Sequence, residues 1–285
     1  MFELFAMGLN EYWSESNAED AAESVAELKA VLSAHYGMTV DWNDPVVNAS
    51  NKDDEISVDV IEDYQLTALQ AVAAKLELDG NLDGFELDPE FPWESEVFKR
   101  IAELEDEENE ESIAKFPHLL SIGNSRECIC LPVDLPSVAE INIGDEDDDD
   151  DMCGCGCGHH KCDCDETCGC HGDCDCRGDC DCDDEDCDSC CCCEEDDGCV
   201  DISSLQALRR ELDLVADGMG LDKTLDIDDD DAMGSLDAES PFYPCSIGWY
   251  LISKRVDEAL AAQTPLIIRY ADDDEYDDDD VIDEE

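Results

Sequence analysis

Basic residues are what this chain most conspicuously lacks: 15 Lys and Arg stand against 81 Asp and Glu, a formal net charge of −66 over 285 residues. Such a balance excludes nucleic acid as a natural ligand, because phosphate binding needs Lys and Arg. It excludes an anionic membrane surface for the same reason. Long apolar runs are absent as well. Nothing approaches the roughly 18 consecutive apolar residues of a membrane span. The first residues, "MFELFAMGLNEYW", carry Glu3 and no basic stretch, so they do not read as a secretory leader. Aromatics make up only 6% of the chain. Local catalytic signatures are missing too: there is no Walker loop, G-x-G-x-x-G, nucleophile elbow or H-E-x-x-H. A non-catalytic, cytoplasmic protein is the expectation, with cations and basic proteins as partners.

What is present is acid and sulfur. Residues 145–200 hold 23 of the acids and the tail 271–285 another 11, leaving 47 acids against 13 basic residues in the other 214. The body is therefore acidic in its own right. Acid-rich, lysine-poor surfaces also suit a salty cytoplasm. Of the 20 cysteines, 17 lie between 153 and 199: Cys153, Cys155, Cys157, Cys162, Cys164, Cys168, Cys170, Cys174, Cys176, Cys180, Cys182, Cys187, Cys190, Cys191, Cys192, Cys193 and Cys199. His159, His160 and His171 sit among them. From Cys162 to Cys182 the C-x-C unit recurs every six residues.

The chemistry this pattern suits is soft-metal binding. One intervening residue brings two sulfurs within reach of one cation, and tetrahedral Zn–S bonds of about 2.3 Å can order the backbone. Six glycines between 154 and 178 let the chain wrap. Apolar side chains for a core are scarce, so the metal must supply the folding energy. Soft thiolates select Zn or Cu(I). Unshared four-fold sites would hold roughly five divalent ions. In a reducing compartment, many cysteines favour metal over disulfides. A disulfide tangle and a low-complexity tract without a role are the competing readings. Cys187-Asp-Ser-Cys190 also matches a redox C-x-x-C, but amid such a run a ligand role fits it better.

The flanks read as one α/β or α+β domain interrupted by this segment. Residues 17–36 have Val25, Leu28, Leu32 and Tyr36 on one helical face, with Asn17 as N-cap and Gly37 as stop. Residues 64–78 place Leu66, Leu69, Ala73 and Leu76 inward, and 93–105 offer another helix. Strands are expected at 38–42, at 56–61 through alternating Ile56, Val58 and Val60, and at 129–135, where Pro132 suggests an edge. After the insertion, Ser203 and Gln206 fit a capping box ahead of Leu205, Leu208, Leu212 and Val215. A last helix covers 246–262, with Trp249, Ile252, Val256 and Leu260 on one side, and "PLIIRY" (265–270) reads as a buried strand. That strand needs partners from before the cysteine segment. The expected organisation is a split domain over 1–144 and 201–271, an insertion over 145–200, and a disordered acidic tail over 272–285. Loop-closure entropy grows only slowly with length, so such an insertion costs little.

The cysteine segment resembles a metallothionein in its C-x-C density and lack of aromatics. That resemblance implies several thiolate-bound Zn, Cu or Cd ions. It departs from the family in charge: only Lys161 and Arg177 are basic among abundant Asp. In the body, "LTALQAVAAKLELDG", "FPHLLSIGNS", "LPVDLP", "SSLQALRREL" and "PLIIRYA" resemble segments of small bacterial proteins, some similar to immunity or antitoxin-like partners. In that pattern an "IG" turn runs directly into the "SS" cap. Here "INIG" (141–144) and "ISS" (202–204) are held apart, which marks the segment between them as an addition.

Other positions offer chemistry. "DGNLDGFELDPE" matches an EF-hand loop with Asp79, Asn81, Asp83, Gly84 and Glu90 in register, so calcium is a candidate ligand. Glu86 and Pro89 depart from the pattern, and the "DIDDDDAMGSLD" stretch at 226–237 lacks the loop glycine. An acidic turn between helices is the plainer reading. Cys128 and Cys130 share one strand face as half-buried small residues or a metal pair. His118 reads as a structural histidine, and His35 sits in a last helical turn, where its charged form suits the dipole. Arg209 and Arg210 read as solvated.

Overall fold

The structure is a computed structural model, and it describes residues 1–15, 18–42, 44, 58–87, 95–106, 115–142, 199–225, 227–229, 234 and 236–271. The strands are β1 (Phe2–Ala6), β2 (Val58–Ile61), β3 (Glu127–Leu131), β4 (Ala139–Asn142), β5 (Cys199–Ser204) and β6 (Leu266–Tyr270). The helices are α1 (Leu9–Tyr12), α2 (Ala18–Tyr36), α3 (Asp63–Asp79), α4 (Glu96–Asp106), α5 (Pro117–Leu120), α6 (Leu205–Met219) and α7 (Tyr243–Ala262). Residues from both sides of the cysteine segment, Met1–Ile141 and Val200–Glu285, join in one compact unit.

The six strands form one mixed sheet in the order β2-β1-β6-β3-β5-β4. β6 pairs antiparallel with β1 and with β3, both from before the insertion, as the expectation for "PLIIRY" required. β3 and β5 run parallel, with Ile129 level with Ile202 on one side and Ile267 on the other.

One sheet face carries Leu4, Ile61, Cys128, Cys130, Leu266 and Ile268, which join buried residues of α3, α6 and α7 in a single cluster. Fully burying each Leu or Ile contributes about 1.5–3 kcal/mol, so this cluster dominates the stability. Its centre is α3, an Ala-rich helix buried on nearly every side. Small side chains let neighbours approach closely. An added Cβ on Gly248 of α7 would lie 2.8 Å from the Gln65 carbonyl oxygen of α3. The other sheet face bears Phe5, Ile129, Ile202 and Ile267, also buried. α1 lies against it: Tyr12 donates to Glu127 Oε2 at 2.6 Å, and its ring sits 6.3 Å from Phe5. α2 packs beside α1 and buries Val25, Leu28 and Leu32.

Several local expectations need correction. Residues 38–42 form no strand, because side chains of α2 take their backbone groups: the Val40 N–H donates to Ser33 Oγ at 2.9 Å, and Lys29 Nζ donates to the Trp42 carbonyl at 2.9 Å. In β2 the alternation is inverted. Val58 and Val60 are exposed, while Ile61 is buried and Asp59 pairs with buried Arg255 at 2.7 Å. β3 lies inside the sheet, not at its edge; it ends at Leu131 because Pro132 brings no N–H to a ladder. The α6 cap is Ser204, whose Oγ accepts the Ala207 N–H, while the Ser203 side chain contacts His118 instead. Arg209 is packed rather than solvated: it lies 5.6 Å from the Trp249 ring centre and 2.7 Å from Asp213. β1 was not anticipated at all. Gly37, at φ +63°, ends α2 as expected, and Asn17 lies outside the described residues.

Candidate functional site

The expected metal ligands from Cys153 through Cys193, with His159, His160 and His171, lie outside the described residues. Only the backbone of Cys199 falls within them, as the first residue of β5. β4 ends at Asn142, and β4 and β5 are neighbours in the sheet. The cysteine segment is thus the connection between two adjacent strands at one edge. Among the described residues, no group of three or more His, Cys, Asp or Glu is placed to hold a metal ion.

The calcium candidate divides in the same way. Asp79 closes α3, and its carboxylate contacts Lys75 at 2.6 Å and Arg100 at 3.3 Å. Hydrogen bonds from these two cations hold it below the usual carboxylate range. Gly80 takes the left-handed conformation at φ +72° that ends the helix. Asn81 then folds onto the loop itself: Nδ2 donates to the Asp79 carbonyl and Oδ1 accepts the Asp83 N–H. The first ligand position is therefore engaged internally. Glu90 lies outside the described residues.

The body thiols are core residues. Cys128 and Cys130 are 1% and 0% exposed, not half-buried, with sulfurs 3.9 Å apart. The contact with Cys130, then burial, pushes the Cys128 thiol well up. Cys245 donates to the Ala68 carbonyl at 3.3 Å, and burial pushes its thiol up to about 12. All three are free and buried in the core, which makes them poor metal ligands.

A buried polar cluster surrounds His118, which is a bonded interior residue as expected. Nδ1 lies 2.8 Å from Ser203 Oγ and accepts the Ser204 N–H at 3.3 Å, so the neutral ring carries its proton on Nε2. Burial, then the Arg210 charge, lowers its pKa to about 4. Glu211 of α6 accepts the N–H groups of His118 and Leu119 at 3.1 and 2.7 Å. Glu77 of α3 likewise accepts those of Lys115 and Phe116. Burial raises Glu211 to about 7, against its two hydrogen bonds. Glu211 thus holds main chain rather than the imidazole, and Ser203 is wholly buried. The arrangement fixes the 115–119 segment and lacks the geometry of a nucleophile–base–acid relay. Sequence reasoning missed Glu211 and gave Ser203 the role of a helix cap. The available signal was an acid at position 211 in the apolar stripe of Leu208, Leu212 and Val215.

Two of the grooves on this body are lined by described residues. One, of about 340 Å³, is lined by Phe2, Leu66, Phe98, Ile101 and Ile122 among others. The second, of about 420 Å³, lies between the start of α3 and the start of α7. No helix among the described residues is long and apolar enough to cross a membrane. No protein-family model, curated protein or solved structure matches this chain.

Proposed function

We propose that residues 153–199 bind a cluster of thiophilic cations, Zn or Cu(I), and that the α/β body is a non-catalytic carrier for it. The observation that carries this reading is the C-x-C repeat itself, with 17 cysteines in 47 residues. The body supports it by what it withholds: its three thiols are free but buried in the core, so metal chemistry falls to the segment between β4 and β5. Thiolates are the ligands, so loading releases protons and acid discharges the metal. The test is alkylation read by mass spectrometry on the full chain, with and without zinc, under a phosphine reductant. Zinc should protect most of the 17 cysteines, while Cys128, Cys130 and Cys245 stay unlabelled in both samples as internal controls. Equal, fast labelling of all 17 with and without zinc would falsify the proposal.

A second reading rests on the charge of the body. Ten of its Lys and Arg side chains each contact a carboxylate, from Lys29 with Asp41 to Arg269 with Glu3. Described acids such as Glu23, Glu62 and Glu86 face outward. Such a surface suits a basic protein partner of the immunity or antitoxin kind.

A further inference from the structure

We infer that the groove between the amino ends of α3 and α7 is the place where a basic partner inserts a Lys or Arg side chain; this rests on the acidic-surface reading and gives it an address. The groove, about 420 Å³, has an apolar and aromatic lining that includes Tyr64, Leu87, Tyr243 and Ile247. Its one charged lining residue is Glu62, and no Lys or Arg lines it among the described residues. Exposed acids flank the lining in the chain: Glu86 precedes Leu87, and Asp237 and Glu239 bracket Ala238.

This combination selects its occupant. A Lys or Arg side chain has an apolar stem and a charged head. The stem matches the Leu and Ile surface. The head matches Glu62 and the two tyrosine rings, whose faces attract cations by roughly 0.5–2 kcal/mol. An anion is disfavoured, although two helices begin here. Glu62 is the N-cap of α3, and it forms a capping box with Gln65, whose Oε1 accepts the Glu62 N–H at 3.3 Å. That carboxylate offsets the positive end of the helix. A volume of this size takes one or two side chains of a peptide rather than a domain face.

The test uses the full chain and a fluorescein-labelled Lys-Leu-Lys-Leu-Lys peptide, followed by anisotropy at about 0.15 M salt, where diffuse attraction is screened beyond about 8 Å. Glu62→Gln keeps the capping geometry and removes the charge; Tyr243→Ser removes a ring. Glu140→Gln, on β4 at the opposite edge of the sheet, is the control. Each groove variant should weaken binding about 5-fold, and the control less than about 2-fold. If Tyr243→Ser loses its circular dichroism signal, Glu62→Gln alone decides. Equal weakening by Glu140→Gln would overturn the groove while leaving a diffuse acidic surface standing. Absence of peptide binding to the wild type would sink both. Binding of a Glu-Leu-Glu-Leu-Glu peptide, or of spermine as tightly as the peptide, would also overturn the proposal.

Discussion

At the scale of single residues, two glycines in helices show how neighbours decide the sign of a substitution. Gly248 and Gly218 sit inside α7 and α6, where Ala is intrinsically better by about 1 kcal/mol. At Gly248 an added Cβ meets the Gln65 carbonyl oxygen at 2.8 Å, and backbone cannot step aside. At Gly218 it meets Leu76 Cδ1 at 2.8 Å, the far end of a side chain that can rotate. Gly248→Ala should therefore destabilise by on the order of 1–2 kcal/mol, and Gly218→Ala should lie close to neutral. Urea midpoints will separate them. A Gly248→Ala protein as stable as Gly218→Ala would show that the α3–α7 approach is not as tight as described.

At the scale of elements, α5 and the segment before it are held by carboxylates from α3 and α6, and this makes part of the stability proton-linked. Glu211 has its folded pKa raised to about 7 from the usual value of 4.5. Its stabilising contribution is present below 4.5 and is lost as pH rises through 7, by on the order of 3 kcal/mol. His118 is shifted down, from 6.5 to about 4. Its contribution is present above 6.5 and is lost as pH falls toward 4. The two slopes oppose each other between about 4.5 and 6.5 and nearly cancel. In Glu211→Gln only the histidine slope remains, so stability measured by denaturant should rise with pH across that window relative to wild type. Parallel pH profiles for the two proteins would remove Glu211 from the account.

The same elements show which signals survive in sequence. α2, α3, α6 and α7 were legible because a 3.6-residue stripe is set by each helix's own burial. Edges were less so: α7 begins at Tyr243, three residues before the expected start, with Pro244 in its first turn. β2 lies within the expected 56–61, but period two identifies a strand and not which face is inward. Arg255, which pairs with Asp59, is distant in sequence and decides that. Residues 38–42 depart from the expected strand because the chain turns back at Gly37 onto α2, where Ser33 and Lys29 take their backbone groups, and an alternation pattern carries no sign of such side-chain competitors.

At the scale of the whole molecule, charge repulsion is the dominant long-range term. Outside the insertion and tail, 47 acids face 13 basic residues. Raising NaCl from about 0.1 M to 1 M shortens the screening length from about 10 Å to 3 Å. Exposed ion pairs weaken too, but each is worth only about 0–1 kcal/mol. The melting temperature of the full chain should therefore climb with NaCl; a flat or falling trend would mean that repulsion does not limit the fold.

The sequence alone determined the composition-level facts: the excess of acid, the clustering of 17 thiols, the helical stripes, and the break between "INIG" and "ISS". These are local or additive properties, readable one residue at a time. Tertiary structure decided the rest. It put β6 between β1 and β3, made the insertion a link between neighbouring strands, buried Cys128 and Cys130 beyond use, and turned Glu211 into a main-chain anchor. It also brought Glu62, Leu87 and Tyr243, far apart along the chain, to one groove. Each of these outcomes depends on which distant segment lies opposite, and strand pairing and helix contact settle that only when the whole core closes.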